Sequence, residues 1–168
     1  MVNLGGATEN DRKKIVITKD SKAFFHNNVD YCVGTGRMGL ALTEEYQEEL
    51  RLVQKEIGFK HIRGHGLFCD DMAIFQTYEE DGKVRVEYNY TYLDRVMDAY
   101  KKVGLRPFLE LGFMPKKLAS GGQTIFYWQG NTTPPKDYDM WCNMVRSLLR
   151  HLMGRYGEEE VIQWHIEV

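Results

Sequence analysis

Three amphipathic segments alternate with short apolar runs, and this alternation restricts the folds open to the chain. In residues 43–57 apolar side chains recur at helical spacing, and Gly58 follows directly. Two later segments end in the same way before Gly104 and Gly157. The pattern predicts three helices, each with one buried face and a glycine stop. Apolar positions of the second and third helices are Leu93, Val96, Met97 and Tyr100, and Trp141, Val145, Leu148 and Leu152.

Each predicted helix leads within a few residues into a short apolar run of the kind found in buried parallel strands. These runs are residues 60–65, 106–113 and 161–168, and residues 31–34 supply a first strand. The order β-α-β-α-β-α-β predicts an α/β fold built on a parallel sheet. We expect residues 31–168 to form one unit and residues 1–30 to form an N-terminal extension with any first strands.

The connections between these elements differ in length. Helix-to-strand turns take only a few residues, whereas the strand-to-helix loops at 66–88 and 114–133 are long. In parallel α/β folds the ligand lies at the carboxyl ends of the strands, where these loops gather. The sequence therefore predicts a functional site on that face.

Composition excludes several classes of partner. The formal net charge is -2, with 22 basic and 24 acidic residues, so we expect no nucleic-acid partner. No apolar run approaches the roughly 20 residues of a membrane span, and the start of the chain lacks the pattern of a secretion signal. We therefore expect no membrane partner and a cytoplasmic location. Cys32, Cys69 and Cys142 are widely spaced, which favours reduced thiols over a disulfide framework.

Residues 34–39 match the G-x-G-x-x-G spacing of dinucleotide-binding loops. However, the following helix is predicted near Thr43, and Gly64-His65 stands where a ribose-binding acid is expected. Glycines that let a strand end turn sharply explain the motif without a nucleotide, and the sequence favours this interpretation. Nicotinamide binding remains a minor hypothesis.

Two charged or polar clusters could carry chemistry at the strand ends. Arg63 and His65 are two residues apart on the second strand, so their side chains point to the same side. Glu110 lies between leucines on the third strand, where an unpaired carboxylate is costly to bury, so we expect it to pair with Arg63. The alternative is a buried polar group satisfied by backbone. All three are candidate site residues.

The second long loop contains Phe126, Tyr127 and Trp128 near two glycines. Aromatic rings stack on the apolar faces of sugars, but the same rings can form a small core that holds the loop together, and the residues alone favour the small core. His65, Cys69 and the pair Asp70-Asp71 lack the tight spacing of metal sites, so we predict no metal, and we expect the two aspartates to be loop or capping residues.

Five segments together resemble the bacterial β-xylosidases of glycoside hydrolase family 39. They occur in the same order, and the resemblance extends over about residues 30–168. The segments are Cys32-Val33-Gly34-Thr35-Gly36-Arg37, Ile62-Arg63-Gly64-His65-Gly66-Leu67, Gly112-Phe113-Met114-Pro115-Lys116, Phe126-Tyr127-Trp128 and Thr133-Pro134-Pro135-Lys136-Asp137-Tyr138.

The resemblance implies a (β/α)8 TIM barrel, of which this chain holds about the first four βα units. It implies retaining hydrolysis of β-1,4-xylo-oligosaccharides to xylose, no cofactor, and a parent that is a homo-oligomer. Among site residues, it implies that His65 contacts sugar hydroxyls, that Arg63 supports the nucleophile, and that Phe126 and Trp128 wall the sugar subsite. Glu110 is expected beside them.

The resemblance also implies that no catalytic residue lies in this chain. The acid/base belongs to a Trp-Asn-Glu-Pro motif expected just beyond Val168, and the nucleophile to a later strand. Glu167 matches the glutamate that precedes the motif, so we expect a structural role for it. The chain is thus interpreted as a fragment that is inactive alone. The alternative is a non-catalytic protein that binds xylo-oligosaccharide, or a split or remnant protein.

Overall fold

Four parallel strands form the sheet on which the other elements pack. A computed structural model of the protein describes Val16 and residues 27–168, so nearly all of the expected extension at 1–30 lies outside the described residues. The sheet has the order β1-β2-β5-β8. In chain order the strands are β1 (Cys32–Arg37), β2 (His61–His65), β3 (Phe75–Glu80), β4 (Lys83–Tyr88), β5 (Arg106–Glu110), β6 (Thr124–Ile125), β7 (Gly130–Asn131) and β8 (His165–Glu167).

The three predicted helices are present, as α1 (Glu44–Glu56), α2 (Thr91–Lys102) and α3 (Tyr138–Tyr156). The side chain of Thr43 accepts a hydrogen bond from the backbone N–H of Tyr46 at 3.4 Å, which caps the start of α1. Asp137 caps α3 by accepting from the N–H of Met140 at 2.9 Å. Among the described residues, no helix is long and apolar enough to cross a membrane.

Side chains of the sheet alternate between an apolar face and a polar face. Ile62 and Leu109 are fully buried and belong to the core that α2 and α3 cover. Arg63 and Glu110 are offset by one position and lie on the opposite face. Other core residues on the helices are Leu93, Val96, Met97, Tyr100, Met144, Leu148 and Leu152. The α/β class with a parallel sheet is confirmed, while closure into an eight-stranded barrel stays a prediction.

The last predicted strand, residues 161–168, is shorter in the structure and begins later. Residues Glu158–Val161 form a short helix, α4, and β8 begins only at His165. Three glutamates follow Gly157 directly, and acidic side chains stabilise the first turn of a helix. Val161 is buried as part of this helix and does not belong to the sheet.

The long loop at 66–88 contains an antiparallel hairpin that the sequence analysis missed. β3 and β4 pair from Phe75 opposite Tyr88 to Glu80 opposite Lys83. Both residues of the connecting turn, Asp81 and Gly82, have positive φ angles, as a tight two-residue hairpin turn requires. The loop at 114–133 likewise contains the short pair β6 and β7. The prediction that the strand-to-helix connections are the long ones is nevertheless confirmed by the element bounds.

Glu160 of α4 ties the start of β8 to β5. Its carboxylate accepts hydrogen bonds from Arg106 Nε at 3.0 Å and Nη2 at 3.2 Å, and from the indole N–H of Trp164 at 3.0 Å. The hydrogen bonds from Arg106 lower the pKa of Glu160 below its ordinary value, although burial opposes this. The ionised carboxylate is therefore the form that holds the two strands together.

We expect Glu160→Gln to destabilise the protein by about 1 kcal/mol at neutral pH, because the pair with Arg106 is partly exposed. A carboxyl group whose pKa is lowered by folding stabilises the fold above its ordinary pKa and loses that effect as the pH falls through the folded value. The difference between the two proteins should therefore shrink below about pH 4. Urea unfolding across pH measures it, with the exposed neighbour substitution Glu159→Gln as control. A difference that does not depend on pH would contradict this assignment.

Candidate functional site

Arg63 lies at the centre of the polar face and binds acidic residues from two other strands. Its Nε and Nη2 atoms donate to the carboxylate of Glu167 at 3.0 and 3.1 Å. Its Nη1 atom lies 2.7 Å from Oε1 of Glu110 and forms an ion pair with it. The geometry of this pair is not that of a hydrogen bond. The predicted pairing of Arg63 with Glu110 is confirmed, and Glu167 is a second partner.

The register of the strands explains why these three side chains meet. Arg63 of β2 lies opposite Phe108 of β5, and Glu110 lies opposite Glu167 of β8. Two carboxylates that lie directly opposite each other on neighbouring strands repel each other unless a cation lies between them. Hydrogen bonds to Glu167 raise the pKa of Arg63 above its ordinary value, and the charge of Glu110 acts in the same direction. The guanidinium therefore stays charged and balances both acids.

His65 is attached to the same network through Glu110. The Nδ1 atom of His65 lies 2.8 Å from Oε2 of Glu110, whose side chain is only 13% exposed. His65 stands at the carboxyl end of β2, and Gly66 follows with a φ of 77° that turns the chain away from the sheet. Arg63, His65 and Glu110 thus form one connected cluster at the strand ends.

The aromatic residues of the second long loop gather beside this cluster. The ring of Phe126 stacks on Trp128 with centroids 4.9 Å apart, and it lies 6.2 Å from the ring of His65. The guanidinium of Arg37 covers Trp128 at 5.9 Å from the ring centroid. Phe126 and Arg37 therefore both lie against the ring of Trp128. Phe126 remains 51% exposed, whereas Trp128 is partly buried, so Phe126 is the more accessible ring of this pair.

The backbone of this loop is held in an uncommon conformation. Phe126 and Gln129 have φ angles of 63° and 56°, a region that residues other than glycine seldom adopt. The N–H of Gln129 donates to the carbonyl of Phe126 at 3.1 Å and closes the turn between them. Tyr127, which lies between Phe126 and Trp128 in the sequence, is 87% exposed. Such strain persists only where surrounding contacts hold it, and it is commonest at functional sites.

The glycine motif at 34–39 has a structural explanation. Arg37 and Asp71 form an ion pair at 2.5 Å, and a side chain at Gly39 would begin 2.5 Å from the same carboxylate. The third glycine therefore makes room for Asp71, and α1 begins only at Glu44. The sequence analysis did not identify Arg37 or Asp71 as partners, because nothing in the sequence brings residues so far apart together.

The described residues include no group of three or more potential metal ligands. Burial raises the pKa of the Cys69 thiol to about 11, so this cysteine is a neutral thiol at physiological pH. Asp70 accepts from the backbone N–H of Lys116 at 3.2 Å, and Asp71 is paired with Arg37. Both aspartates lie in a short 3-10 turn, Asp70–Met72, within the long loop, and each ties this turn to another segment.

Comparison with known proteins identifies the family of the chain. Residues 13–168 match the family model described as glycosyl hydrolases family 39. The chain belongs to this family. It is 51% identical over 156 residues to a beta-xylosidase of Geobacillus stearothermophilus, covering 93% of this chain and 31% of that protein. It is 41% identical to a beta-xylosidase of Caldicellulosiruptor saccharolyticus, covering 82% of this chain and 28% of that protein.

The chain is also similar to a solved structure of a beta-xylosidase. A monomeric beta-xylosidase from Caulobacter crescentus superposes with a TM-score of 0.75 and 37% identity, covering 82% of this chain and 27% of that one. The chain therefore spans less than a third of the length of these relatives.

Gly130 allows the aromatic group of the site to pack. A side chain there would begin 2.7 Å from Trp128 and 2.8 Å from the ring of Phe113. We expect Gly130→Ala to destabilise the protein by about 1–3 kcal/mol, because the rings must move apart. Gly122 lies in the same loop with open space around it, so Gly122→Ala should change stability by less than about 0.5 kcal/mol. Thermal unfolding followed by tryptophan fluorescence compares the two, and equal effects would contradict this packing role.

Proposed function

We propose that this chain forms part of the sugar-binding wall of a retaining glycosidase that releases xylose from β-1,4-xylo-oligosaccharides. The observation that carries the proposal is the placement of His65 beside the exposed ring of Phe126, at the carboxyl ends of parallel strands. An aromatic face next to a fixed hydrogen-bonding group suits a sugar, which presents an apolar ring face and hydroxyls. The beta-xylosidases among the relatives support xylose as the glycone.

We propose a (β/α)8 barrel for the complete protein. The strand order β1-β2-β5-β8, with helical crossovers between neighbours, supports this architecture because each strand lies beside its predecessor in the barrel series. The polar face that carries Arg63 and Glu110 would then point into the barrel. Location in the cytoplasm and assembly into a homo-oligomer stay predictions, and the Caulobacter crescentus relative is described as monomeric.

Both catalytic carboxylates are proposed to lie outside these 168 residues. A retaining mechanism needs two carboxyl groups about 5–5.5 Å apart, one as acid/base and one as nucleophile. Glu110 of β5 lies directly opposite Glu167 of β8, but both bind Arg63, and Glu110 also binds His65. Both carboxylates are therefore already bound by side chains of this chain. The share of the relatives' length that the chain spans leaves room for the acids elsewhere.

The site residues receive different roles in this proposal. His65 hydrogen-bonds a sugar hydroxyl, and Phe126 stacks on the sugar ring. Trp128 stacks on Phe126 and forms part of the same wall. Arg63 and Glu110 keep the wall in place, and we propose that Arg63 also supports the nucleophile. Retaining hydrolysis uses carboxyl groups and water, so the proposal includes no cofactor.

We expect the 168-residue chain to show no turnover of an aryl β-xyloside, and the protein expressed from the complete reading frame to hydrolyse it. The reason is that double displacement requires both carboxylates. Release of the aryl group, followed by absorbance, measures this. Turnover by the 168-residue chain would show that Glu110 and Glu167, or another pair within it, are catalytic.

In the complete protein, Phe126→Ala should lower kcat/KM for a xyloside about fivefold to tenfold, because the sugar loses the ring that covers it. The adjacent substitution Ile125→Ala serves as control. Ile125 is exposed and forms none of the ring contacts of the site, so its kcat/KM should stay within about twofold of the parent. Equal losses for both variants would mean that Phe126 acts only through loop stability.

A non-catalytic protein that binds xylo-oligosaccharide, including a split or remnant protein, is the second candidate. It is favoured by the pairing of Arg63 with both Glu110 and Glu167, which leaves neither acid of this cluster free. Calorimetric titration with xylobiose separates the candidates. Binding without hydrolysis by the product of the complete reading frame would support this second function and contradict the first.

A further inference from the structure

The hydrogen bond between His65 and Glu110 fixes which ring nitrogen carries a proton. Nδ1 of His65 lies 2.8 Å from Oε2 of Glu110, and Oε1 of the same carboxylate lies 2.7 Å from Arg63. A glutamate side chain is ordinarily ionised at neutral pH, and an ionised carboxylate only accepts hydrogen bonds. Nδ1 must therefore be the donor. A neutral imidazole has a single N–H, so Nε2 is left as an acceptor.

The Nε2 atom of His65 is available to a ligand. Within residues 27–168 no group hydrogen-bonds it, and the side chain of His65 is about one-third exposed. Phe126 lies beside the same imidazole on the side of the long loops. Arg63 offers only donors, and they are directed at Glu110 and Glu167. The other acceptor of this cluster without a hydrogen bond, Oε1 of Glu110, is buried beside Arg63, so the imidazole of His65 carries the accessible unused acceptor.

We propose that Glu110 is a positioning residue: it holds His65 in the Nδ1-protonated form, so that Nε2 accepts a hydrogen bond from a sugar hydroxyl. This rests on the proposed function and adds a requirement to it. The sugar must offer a hydroxyl hydrogen at this point, since a ring oxygen or an ether oxygen has no hydrogen to donate. A methyl ether at the hydroxyl that contacts His65 should bind at least about tenfold more weakly than the free sugar, because it leaves Nε2 unsatisfied.

The molecule contains a matched comparison for this arrangement. His151 of α3 also pairs with a carboxylate, but through Nε2, which lies 2.6 Å from Oδ1 of Asp94. The same reasoning assigns the proton of neutral His151 to Nε2 and leaves Nδ1 without it. Two histidines of one chain are therefore expected in opposite tautomers, each set by its own carboxylate.

Solid-state NMR of protein labelled with 15N-histidine tests the assignment without requiring activity. At about pH 8, above the ordinary titration range of imidazole, the 15N shifts show which nitrogen carries hydrogen. We expect His65 to be protonated at Nδ1 and His151 at Nε2, with His65→Gln identifying the first set of signals. A His65 protonated at Nε2 would overturn the proposal.

Variants of the two carboxylates test the cause. Glu110→Ala should cause an Nε2-protonated form of His65 to appear while His151 is unchanged. Asp94→Asn should cause an Nδ1-protonated form of His151 to appear while His65 is unchanged. Glu110→Gln keeps the shape of the side chain and serves if the alanine variant does not fold, because an amide can also donate to Nδ1. His65 remaining wholly Nδ1-protonated in both Glu110 variants would show that another contact sets the tautomer.

Added xylobiose tests the sugar contact separately. With saturating xylobiose the Nε2 signal of His65 should shift while its Nδ1 proton stays in place. No shift would remove the sugar contact from the proposal and leave the tautomer standing. Failure of the glycosidase function would appear instead as absent turnover by the product of the complete reading frame, so the two failures are distinguishable.

Discussion

The guanidinium of Arg63 makes the polar face of the sheet possible. It binds Glu167 through two nitrogens and Glu110 through the third, and thereby joins three adjacent strands, β2, β5 and β8. Without a cation between them, two carboxylates on neighbouring strands would repel each other at close range. The arrangement of His65 depends on it in turn, because the same Glu110 that binds Arg63 also binds the imidazole.

The two faces of the sheet carry different kinds of side chain. Ile62 and Leu109 pack against the helices and supply apolar burial, whereas Arg63 and Glu110, each one residue away, supply charge on the other face. A shift of one residue in register would place these charges in the core. The cost of burying them unpaired therefore helps to fix the register that brings His65 and Phe126 together.

Much of the fold follows from local patterns in the sequence. Helical periodicity with glycine stops predicted the three main helices, and the cost of an unpaired Glu110 predicted its pairing with Arg63. The length of the loop at 66–88 does not predict the hairpin at 75–88, although its turn residues Asp81-Gly82 are a recognised hairpin signal.

Other features could not be predicted because they depend on contacts between distant residues. Trp128 is contacted by Arg37 and Phe126, and only the folded chain shows that Phe126 is the more exposed of the two rings. The tautomer of His65 likewise depends on which nitrogen meets Glu110 across 45 positions of sequence. The residue types in the sequence indicate which side chains belong to the cluster, and the fold determines which contacts each of them makes.

The strand order β1-β2-β5-β8 has a consequence for synthesis on the ribosome. Each strand of this sheet pairs with the sheet strand that precedes it in the chain, so its partner has already been made when it emerges. The helix of each crossover emerges between the two strands and can cover the growing sheet at once. The protein can therefore fold in the direction in which it is translated, with one exposed growing edge at a time.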